Sequence, residues 1–203
     1  MKITIEHHNP EWKKHFHKIR AELAALTEPM RPEIEHIGST SVEGLAAKPI
    51  IDILVGVRED DDLNRIPPAL MSHGYIYFEK YNADMPYRRF FVKLKTSPEQ
   101  LSFPVHIKPE DPVPAALNEQ PPRLAHIHVL PLHSEHWIRH IAFRDYLRAH
   151  PRVTAAYQQL KEALGNREWK DSMEYNEAKD PFIKKEERNA VNWYLQLHNK
   201  PGA

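Results

Sequence analysis

Apolar residues at helical spacing predict helices in the first and last parts of the chain. Asn9-Pro10-Glu11 has the features of a helix start, and apolar residues recur every three or four positions after it, at Trp12, Phe16, Ile19, Leu23 and Leu26. The last third is predicted to contain helices at Ser134–Ala149, Pro151–Gly165 and Ser172–His198. Pro181 is expected to divide the last helix into two pieces, because proline removes an intrahelical hydrogen bond.

Strands are predicted before residue 132. They are expected at Ile3–Glu6, Glu33–Ile37, Ile50–Val57, Tyr75–Glu79, Arg88–Leu94, Phe103–Ile107 and Ala125–Leu130. The run at Ile50–Val57 is almost continuously apolar, so both of its faces are expected to be buried. Helical turns are predicted at Val42–Ala47, and a helix interrupted by Pro67 and Pro68 is predicted at Asp61–His73.

This order of elements indicates an α/β or α+β fold. A mixed β-sheet with flanking helices is expected in residues 1–132, and a helical C-terminal part packed on it in residues 133–203. The proline-rich stretch from Thr96 to Arg123, which includes Pro121, is predicted to be a long irregular loop around the short strand at Phe103–Ile107.

The composition excludes several classes of function. The 203 residues include 28 basic and 28 acidic side chains, so nucleic acid is not an expected partner. No cysteine is present, which excludes disulfides, thiolate metal sites and cysteine nucleophiles. No apolar run approaches the roughly 20 residues of a membrane span, and the N-terminal segment lacks the apolar core of a signal peptide. A cytoplasmic protein without a membrane partner is expected.

The loop Gly38-Ser39-Thr40-Ser41 is a candidate anion site. Glycine lets the backbone approach a ligand closely, and hydroxyls with exposed amides at a helix start suit a phosphate. The alternative is that the hydroxyls only cap a helix. The loop is not a Walker A loop, because the required spacing is absent.

Asp52 is an acidic residue inside the apolar strand Ile50–Val57. A buried carboxylate is costly unless it is paired, protonated or bound to a metal. Asp52 is therefore a candidate site residue, and the alternative is a structural salt bridge to Lys48 or to an arginine. His126 and His128 lie two apart on a predicted strand and so on one side of it. Together with Asp52 they could bind one transition-metal ion, or they could simply hydrogen-bond within the sheet.

Basic residues in the C-terminal helices are further candidates for ligand binding. Asp145 and Arg148 interrupt the apolar face of the helix at Ser134–Ala149, and Arg144 lies beside them. These arginines could contact an anionic ligand or form structural ion pairs with Asp145. Two Tyr–Lys pairs at a spacing of four, Tyr157 with Lys161 and Tyr175 with Lys179, share helix faces and could hold a phosphate and a base, or cover the edge of the core. Arg88 and Arg89 point to opposite faces of their strand, so at most one reaches a given site.

The segment HIGSTSVEGLAAKPIIDILVGV at 36–57 resembles the signature of the GrpB family, a group similar to nucleotidyltransferases. The resemblance extends over almost the whole chain, through HNPEW at 8–12, YRRFF at 87–91, HIHV at 126–129, FRDYLRAHP at 143–151, YQQLK at 157–161 and YNEAK at 175–179. It implies a nucleotidyltransferase-like sheet. It also implies a link to dephospho-coenzyme A kinase, since some relatives are joined to such a domain.

One departure from the nucleotidyltransferase pattern concerns the acids. Active members present two acids as Asp-x-Asp, whereas here the positions two before and two after Asp52 are Ile50 and Leu54. The strand expected to supply a third acid carries His126 and His128 instead. The metal is therefore expected to be a single Mg²⁺, Mn²⁺ or Zn²⁺ ion, if one binds. The candidates for a further carboxylate ligand beside Asp52 are Glu35, Glu43, Asp84 and Asp145.

The expected function is binding of a nucleotide or another phosphorylated ligand, extending to metal-dependent nucleotidyl transfer. In that hypothesis Asp52, Ser39 and Lys48 are the catalytic residues, and Asp52, His126 and His128 hold the metal. The ligand would be bound by His36, Gly38, Ser39, Thr40, Ser41, Lys48, Arg88, Arg144, Arg148, Tyr157, Lys161 and Lys179. The alternatives are a non-catalytic binding or regulatory module, for example one that partners dephospho-coenzyme A kinase, and a metal-dependent hydrolase that uses Asp52, His126 and His128.

Overall fold

The computed structural model describes residues 2–59, 61–118 and 122–198. Its α-helices within these ranges are α1 (Glu11–Leu26), α2 (Asp62–Met71), α3 (Glu135–Ala149), α4 (Pro151–Gly165) and α5 (Ser172–His198). Its strands are β1 (Glu33–Ile37), β2 (Ile51–Val57), β3 (Ile76–Phe78), β4 (Arg89–Leu94), β5 (His106–Ile107) and β6 (Arg123–Pro131). The prediction of a mixed α/β fold with a helical C-terminal part is confirmed.

The strands of the described residues form one mixed sheet in the order β1-β2-β6-β4-β3-β5. The parallel pair β2 and β6 is flanked by the antiparallel neighbours β1 and β4. In this register Asp52 lies beside His126, and Leu54 lies beside His128. Because neighbouring residues in register share a face, Asp52, His126 and His128 project from the same side of the sheet.

Helices cover both faces of the sheet. On one face, Ile53 and Val55 of β2 belong to the main core, together with Phe16 of α1 and Ile66 of α2. On the other face, Leu54 packs with Trp137 and Ile141 of α3. Strand β2 is therefore buried on both sides, as its apolar sequence predicts.

Gly56 sets how closely α3 approaches the sheet. A Cβ atom at this position would lie 2.6 Å from the Trp137 ring and 2.6 Å from Leu132. The missing side chain therefore makes room for the Trp137 ring against β2. This contact brings α3, and the helices that follow it, to the face from which Asp52 projects.

Two predictions for the first 50 residues are wrong. Ile3–Glu6 is not a strand. In the described part of the chain, Lys2 and Glu6 each form only an isolated β-bridge to a loop residue, so no continuous pairing forms between them. The helical turn expected at Val42–Ala47 lies earlier, as a 3-10 turn at Ser39–Ser41. The turn begins at Gly38, whose carbonyl accepts hydrogen bonds from both the amide and the hydroxyl of Ser41.

Proline interrupts neither of the helices in which an interruption is predicted. Pro67 and Pro68 lie inside a continuous α2, and Pro181 lies inside a continuous α5. The physical reason is packing: α2 buries Leu63, Ile66, Pro67 and Leu70, and α5 buries Tyr175, Glu186 and Ala190. Contacts with the rest of the protein therefore offset the hydrogen bonds that proline removes.

The described part of the proline-rich stretch, residues 96–118 and 122, is irregular, as predicted, and Arg123 already belongs to β6. It contains β5, shorter than the expected strand, and 3-10 turns at Glu99–Leu101 and Ala115–Asn118. Residues 119–121, which include Pro121, lie outside the described residues, as do 199–203. The division of the chain into 1–132 and 133–203 stays a prediction. Within the described ranges, no helix has the length and apolar character that a bilayer span requires.

We expect Pro181→Ala to raise the free energy of unfolding by about 2 kcal/mol, because it restores an amide donor within a continuous helix. Pro181 is exposed, so the substitution removes no core packing. Urea unfolding measures the change. The control is Pro151→Ala at the first position of α4, where proline is well tolerated and no gain is expected. Equal effects of the two substitutions would contradict a helix that is continuous through Pro181.

Candidate functional site

The carboxylate of Asp52 lies against the backbone of the turn that follows β1. A Cβ atom at Gly38 would be 2.4 Å from Oδ2 of Asp52, so no larger residue fits there without movement. The φ angle of Gly38 is +69°, in the region that favours glycine. The carboxylate and the Gly38–Ser41 turn are thereby held in direct contact.

Two histidines of β6 face the Asp52 carboxylate. Nδ1 of His126 lies 3.1 Å from Oδ1, and Nε2 of His128 lies 4.0 Å from the same oxygen. On the outer side of each ring, Arg123 donates to Nε2 of His126 at 3.1 Å, and Arg88 donates to Nδ1 of His128 at 3.4 Å. A guanidinium group only donates, so these ring nitrogens accept, and the ring protons lie on the nitrogens that face Asp52.

This arrangement does not favour the predicted metal site of Asp52, His126 and His128. A metal ligand must offer a lone pair, whereas the nitrogens that face Asp52 carry protons. Among the described residues, no group of three or more His, Cys, Asp or Glu side chains is arranged to hold a metal ion. The four candidates for a further carboxylate ligand do not line the cavity around Asp52: Glu35, Glu43, Asp84 and Asp145. Metal binding by these residues stays a prediction, and it would require both histidines to change tautomer.

Three lysines lie around two tyrosine rings on the helical side of the site. Nζ of Lys48 and Nζ of Lys179 lie 4.1 Å and 4.5 Å from the centroid of the Tyr175 ring, and Nζ of Lys161 lies 4.6 Å from that of Tyr157. Burial lowers the pKa of Lys48 to about 7 and that of Lys161 to about 7, and repulsion by Lys179 adds to both effects. Burial also lowers the pKa of Lys179 to about 8. The cluster is therefore only partly charged near neutral pH.

Hydroxyl groups of the turn connect it to the surrounding elements. The side chain of Ser39 interacts with the hydroxyl of Tyr157, and burial raises the pKa of that tyrosine to about 12. Oγ1 of Thr40 lies 3.0 Å from Nε2 of His36. The turn is thus held by side-chain contacts to α4 on one side and to β1 on the other.

A single cavity of about 460 Å³ contains this group of side chains, and we call it the Asp52 cavity. Within the described chain, Asp52 is the only carboxylate among its lining residues, against five lysine and arginine side chains. The predicted site residues that line it are Gly38, Ser39, Thr40, Lys48, Asp52, Arg88, His126, His128, Tyr157, Lys161 and Lys179. Arg89 points elsewhere, to Asn64 and Pro86.

Four predicted ligand-binding residues lie away from the Asp52 cavity. His36, Ser41, Arg144 and Arg148 line a separate cavity, which also touches Thr40. Both arginines form structural ion pairs, which was the alternative to ligand contact. Arg144 pairs with Glu35 and Asp145, and Arg148 pairs with Asp145 and donates to the Ser41 carbonyl.

Arg123 is the main site residue that the sequence analysis missed. Regular alternation along β6 would place it with Ala125 and Ile127, on the face opposite His126. The pairing of β6 with β4 is irregular there, because Lys93 pairs with Ala125 and Leu94 with Arg123. This bulge lets the guanidinium reach His126, and no spacing rule in the sequence signals it.

Three further aromatic residues at the site were not predicted. Tyr81, Phe90 and Phe143 line the Asp52 cavity. The ring centroid of Phe90 lies 5.5 Å from that of His126 and 5.2 Å from that of His128. Phe90 lies at the site because it pairs with His128 across β4 and β6. Its position can be deduced only when the strand order is known.

The chain is similar to known proteins over most of its length. It is 30% identical over 202 residues to the UPF0157 protein YqkA of Bacillus subtilis, an alignment that covers 100% of this chain and 51% of that protein. The chain thus spans about half the length of this relative. It is also 30% identical over 182 residues to the glutamate-rich protein GrpB of Alkalihalophilus pseudofirmus, which covers 89% of this chain and 91% of the relative.

A solved structure shares the fold. The crystal structure of the conserved protein GrpB from Enterococcus faecalis matches with a TM-score of 0.73 and 30% identity, over 94% of this chain and 99% of that chain. The sequence pattern of the family described as GrpB protein matches residues 2–189. The family resemblance seen in the motifs is confirmed, and the chain belongs to the GrpB family.

Proposed function

We propose that the Asp52 cavity binds a phosphorylated small molecule, with a nucleotide as the expected form. The observation that carries this proposal is the excess of cationic side chains over carboxylates in the lining. Lys48, Lys161, Lys179, Arg88 and Arg123 face a cavity in which the described residues supply a single carboxylate.

The depressed pKa values of the lysines support an anionic ligand. Burying several like charges together is unfavourable unless opposite charge is supplied. Lys48 and Lys161 each lie near Lys179, and neither forms an ion pair with an Asp or Glu side chain in the described chain. A phosphate group among these lysines would supply the missing charge and charge-assisted hydrogen bonds.

The Gly38–Ser41 turn supports a phosphate as the anion. Gly38 brings the backbone close to the cavity, and the side chains of Ser39 and Thr40 line it. Hydroxyls and backbone amides at such a turn can donate to phosphate oxygens. The capping alternative does not account for these residues, because no side-chain cap is made in this 3-10 turn.

The size and the aromatic lining support a nucleotide. A volume of about 460 Å³ falls within the usual range for small-molecule sites. Tyr81 and Phe90 lie in the lining together with the arginines, and aromatic faces of this kind can stack on a base.

Catalysis is a finer hypothesis about the same cavity. Metal-dependent nucleotidyl transfer and metal-dependent hydrolysis both require Asp52, with His126 and His128, to hold a divalent ion such as Mg²⁺, Mn²⁺ or Zn²⁺. Because those histidines present protons to Asp52, we assign the cavity to binding without a metal. A partnership with dephospho-coenzyme A kinase is a prediction from the family resemblance alone.

We expect Lys179→Met to weaken binding of ATP or pyrophosphate at least about tenfold, because it removes a buried charged donor and keeps the apolar stem. Isothermal titration calorimetry in the presence of a chelator measures the affinity. The matched control is Lys185→Met on the same helix, since the Lys185 side chain is 70% exposed and lies outside the cavity lining. Failure of the unmodified protein to bind any phosphate compound would refute the proposal.

Asp52→Asn distinguishes binding with a metal from binding without one, because the two arrangements predict opposite changes in the affinity for ATP. Without a metal, Asp52→Asn removes a negative charge beside the phosphate, so we expect affinity for ATP to rise several-fold. A metal bridge through Asp52 would produce the opposite result, a loss of affinity in Mg²⁺, Mn²⁺ or Zn²⁺. The same titrations, made with chelator and with each metal, decide between the two arrangements.

Ligand binding is expected to take up protons at pH 8. The pKa values of about 7, 7 and 8 for Lys48, Lys161 and Lys179 leave much of the cluster neutral at this pH in the free protein. A bound phosphate raises these pKa values, so about one proton is taken up for each ligand bound. Calorimetry in two buffers of different ionisation enthalpy measures the number. Lys48→Met should reduce it, and proton release would contradict the prediction.

A further inference from the structure

A second and larger cavity lies on the other side of the Gly38–Ser41 turn. It has a volume of about 1050 Å³ and is lined mainly by α1, α3 and the first turns of α4. We call it the α1–α3 cavity. The proposed phosphate site lies in the Asp52 cavity and not in this one.

Two helices present matching faces to this cavity. From α1 the lining takes Lys13, Phe16, His17 and Arg20, and from α3 and the residue that begins α4 it takes Arg144, Leu147, Arg148 and Pro151. The α1 set follows the spacing i, i+3, i+4, i+7, and the α3 residues Arg144, Leu147 and Arg148 follow i, i+3, i+4, so each group lies on one face of its helix. The cavity is therefore walled by two ordered helix faces, each of which carries two cations.

The cations of this lining are incompletely paired. Ion pairs of α1 in the described chain join Lys14 to Glu11 and Glu22 to Lys93, which leaves Lys13 and Arg20 without a carboxylate partner there.

On the opposite wall, Arg144 neutralises Glu35. Arg148 is 44% exposed, and its hydrogen bonds to Asp145 and to the Ser41 carbonyl leave N–H groups over for a ligand. Glu43 is the remaining acid of the lining. Two unpaired cations, Lys13 and Arg20, and the free N–H groups of Arg148 can therefore donate to an anion.

The floor of the cavity is aromatic. The His36 ring stacks on Phe16, with centroids 4.6 Å apart and planes 11° apart. Burial lowers the pKa of His36 to about 4, so the ring is neutral at physiological pH. Ile34 and Leu147 add apolar surface beside it. This wall suits a ring or another apolar group rather than a free inorganic ion.

We propose that the α1–α3 cavity is a second ligand site, which binds an organic phosphate through Lys13, Arg20 and Arg148 and packs its ring system against Phe16 and His36. A dianionic phosphate matches the surplus of cations better than a single carboxylate does. Thr40 lines both cavities, so ligands in the two sites approach each other across the Gly38–Ser41 turn. The residues proposed to bind this ligand do not line the Asp52 cavity, so binding here does not depend on a ligand there.

Adenosine 5′-monophosphate is a suitable probe, because it combines one phosphate with a ring system. We expect its titration to shift the backbone amide NMR signals of His17 and Leu147 in a saturable way. Lys13→Gln with Arg20→Gln should raise the Kd read from these signals at least about fivefold. Both side chains are exposed on α1, so the fold is retained. The matched control is Lys14→Gln with Lys18→Gln, on the same helix but outside the lining.

Two results would overturn this assignment. One is a titration in which the shifts are confined to residues of the Asp52 cavity, such as Ser39 and Lys179. The other is an equal loss of affinity in the Lys13/Arg20 variant and in the Lys14/Lys18 control, which would indicate only general attraction to a basic surface. Pyrophosphate titrations of the Lys13/Arg20 variant should be unchanged at the Asp52 cavity, so failure of one site is distinguishable from failure of the other.

Discussion

The contact between the Asp52 carboxylate and the backbone of Gly38 is the constraint around which the site is built. It requires a glycine at the end of β1, and it places the hydroxyl-bearing turn next to a charged group in the sheet. His126 donates to the same carboxylate, and Arg123 orients that histidine from behind. A single acid in the centre of the sheet is thereby satisfied by hydrogen bonds rather than by an opposite charge alone.

The helices that follow the sheet bring positive charge to this acid. Lys161 of α4 and Lys179 of α5 lie near Lys48 of the loop before β2, and the three amines contact two tyrosine rings. Cation–π contacts and a hydrogen bond from Lys161 to the Ala46 carbonyl partly replace the lost hydration. The remaining cost appears in the lowered pKa values of the lysines, and an anionic ligand would relieve it.

The Gly38–Ser41 turn forms the wall between two basic cavities. Its Ser39 side contacts Tyr157 in the Asp52 cavity, while Arg148 holds the Ser41 carbonyl from the α1–α3 cavity. Thr40 belongs to both linings and contacts His36. A short segment of backbone thus connects the two sites. Any movement of the turn in response to one ligand would therefore change the lining of the other cavity.

Local patterns were sufficient for the elements whose burial is periodic or continuous. The spacing of apolar residues identified α1, and the almost continuous apolar run identified β2 with Asp52 inside it, because both signals arise from burial of neighbouring residues. The glycine and hydroxyl residues likewise indicated a loop at Gly38–Ser41, although the helical turn was expected later, at Val42–Ala47. Long-range packing decided the rest: it kept α5 helical through Pro181, it used a bulge to turn Arg123 toward His126, and it separated Arg148 from Asp52. Those outcomes depend on residues far apart in the chain, whose meeting is set by the strand order and by the docking of α3 to α5, and no local spacing contains that information.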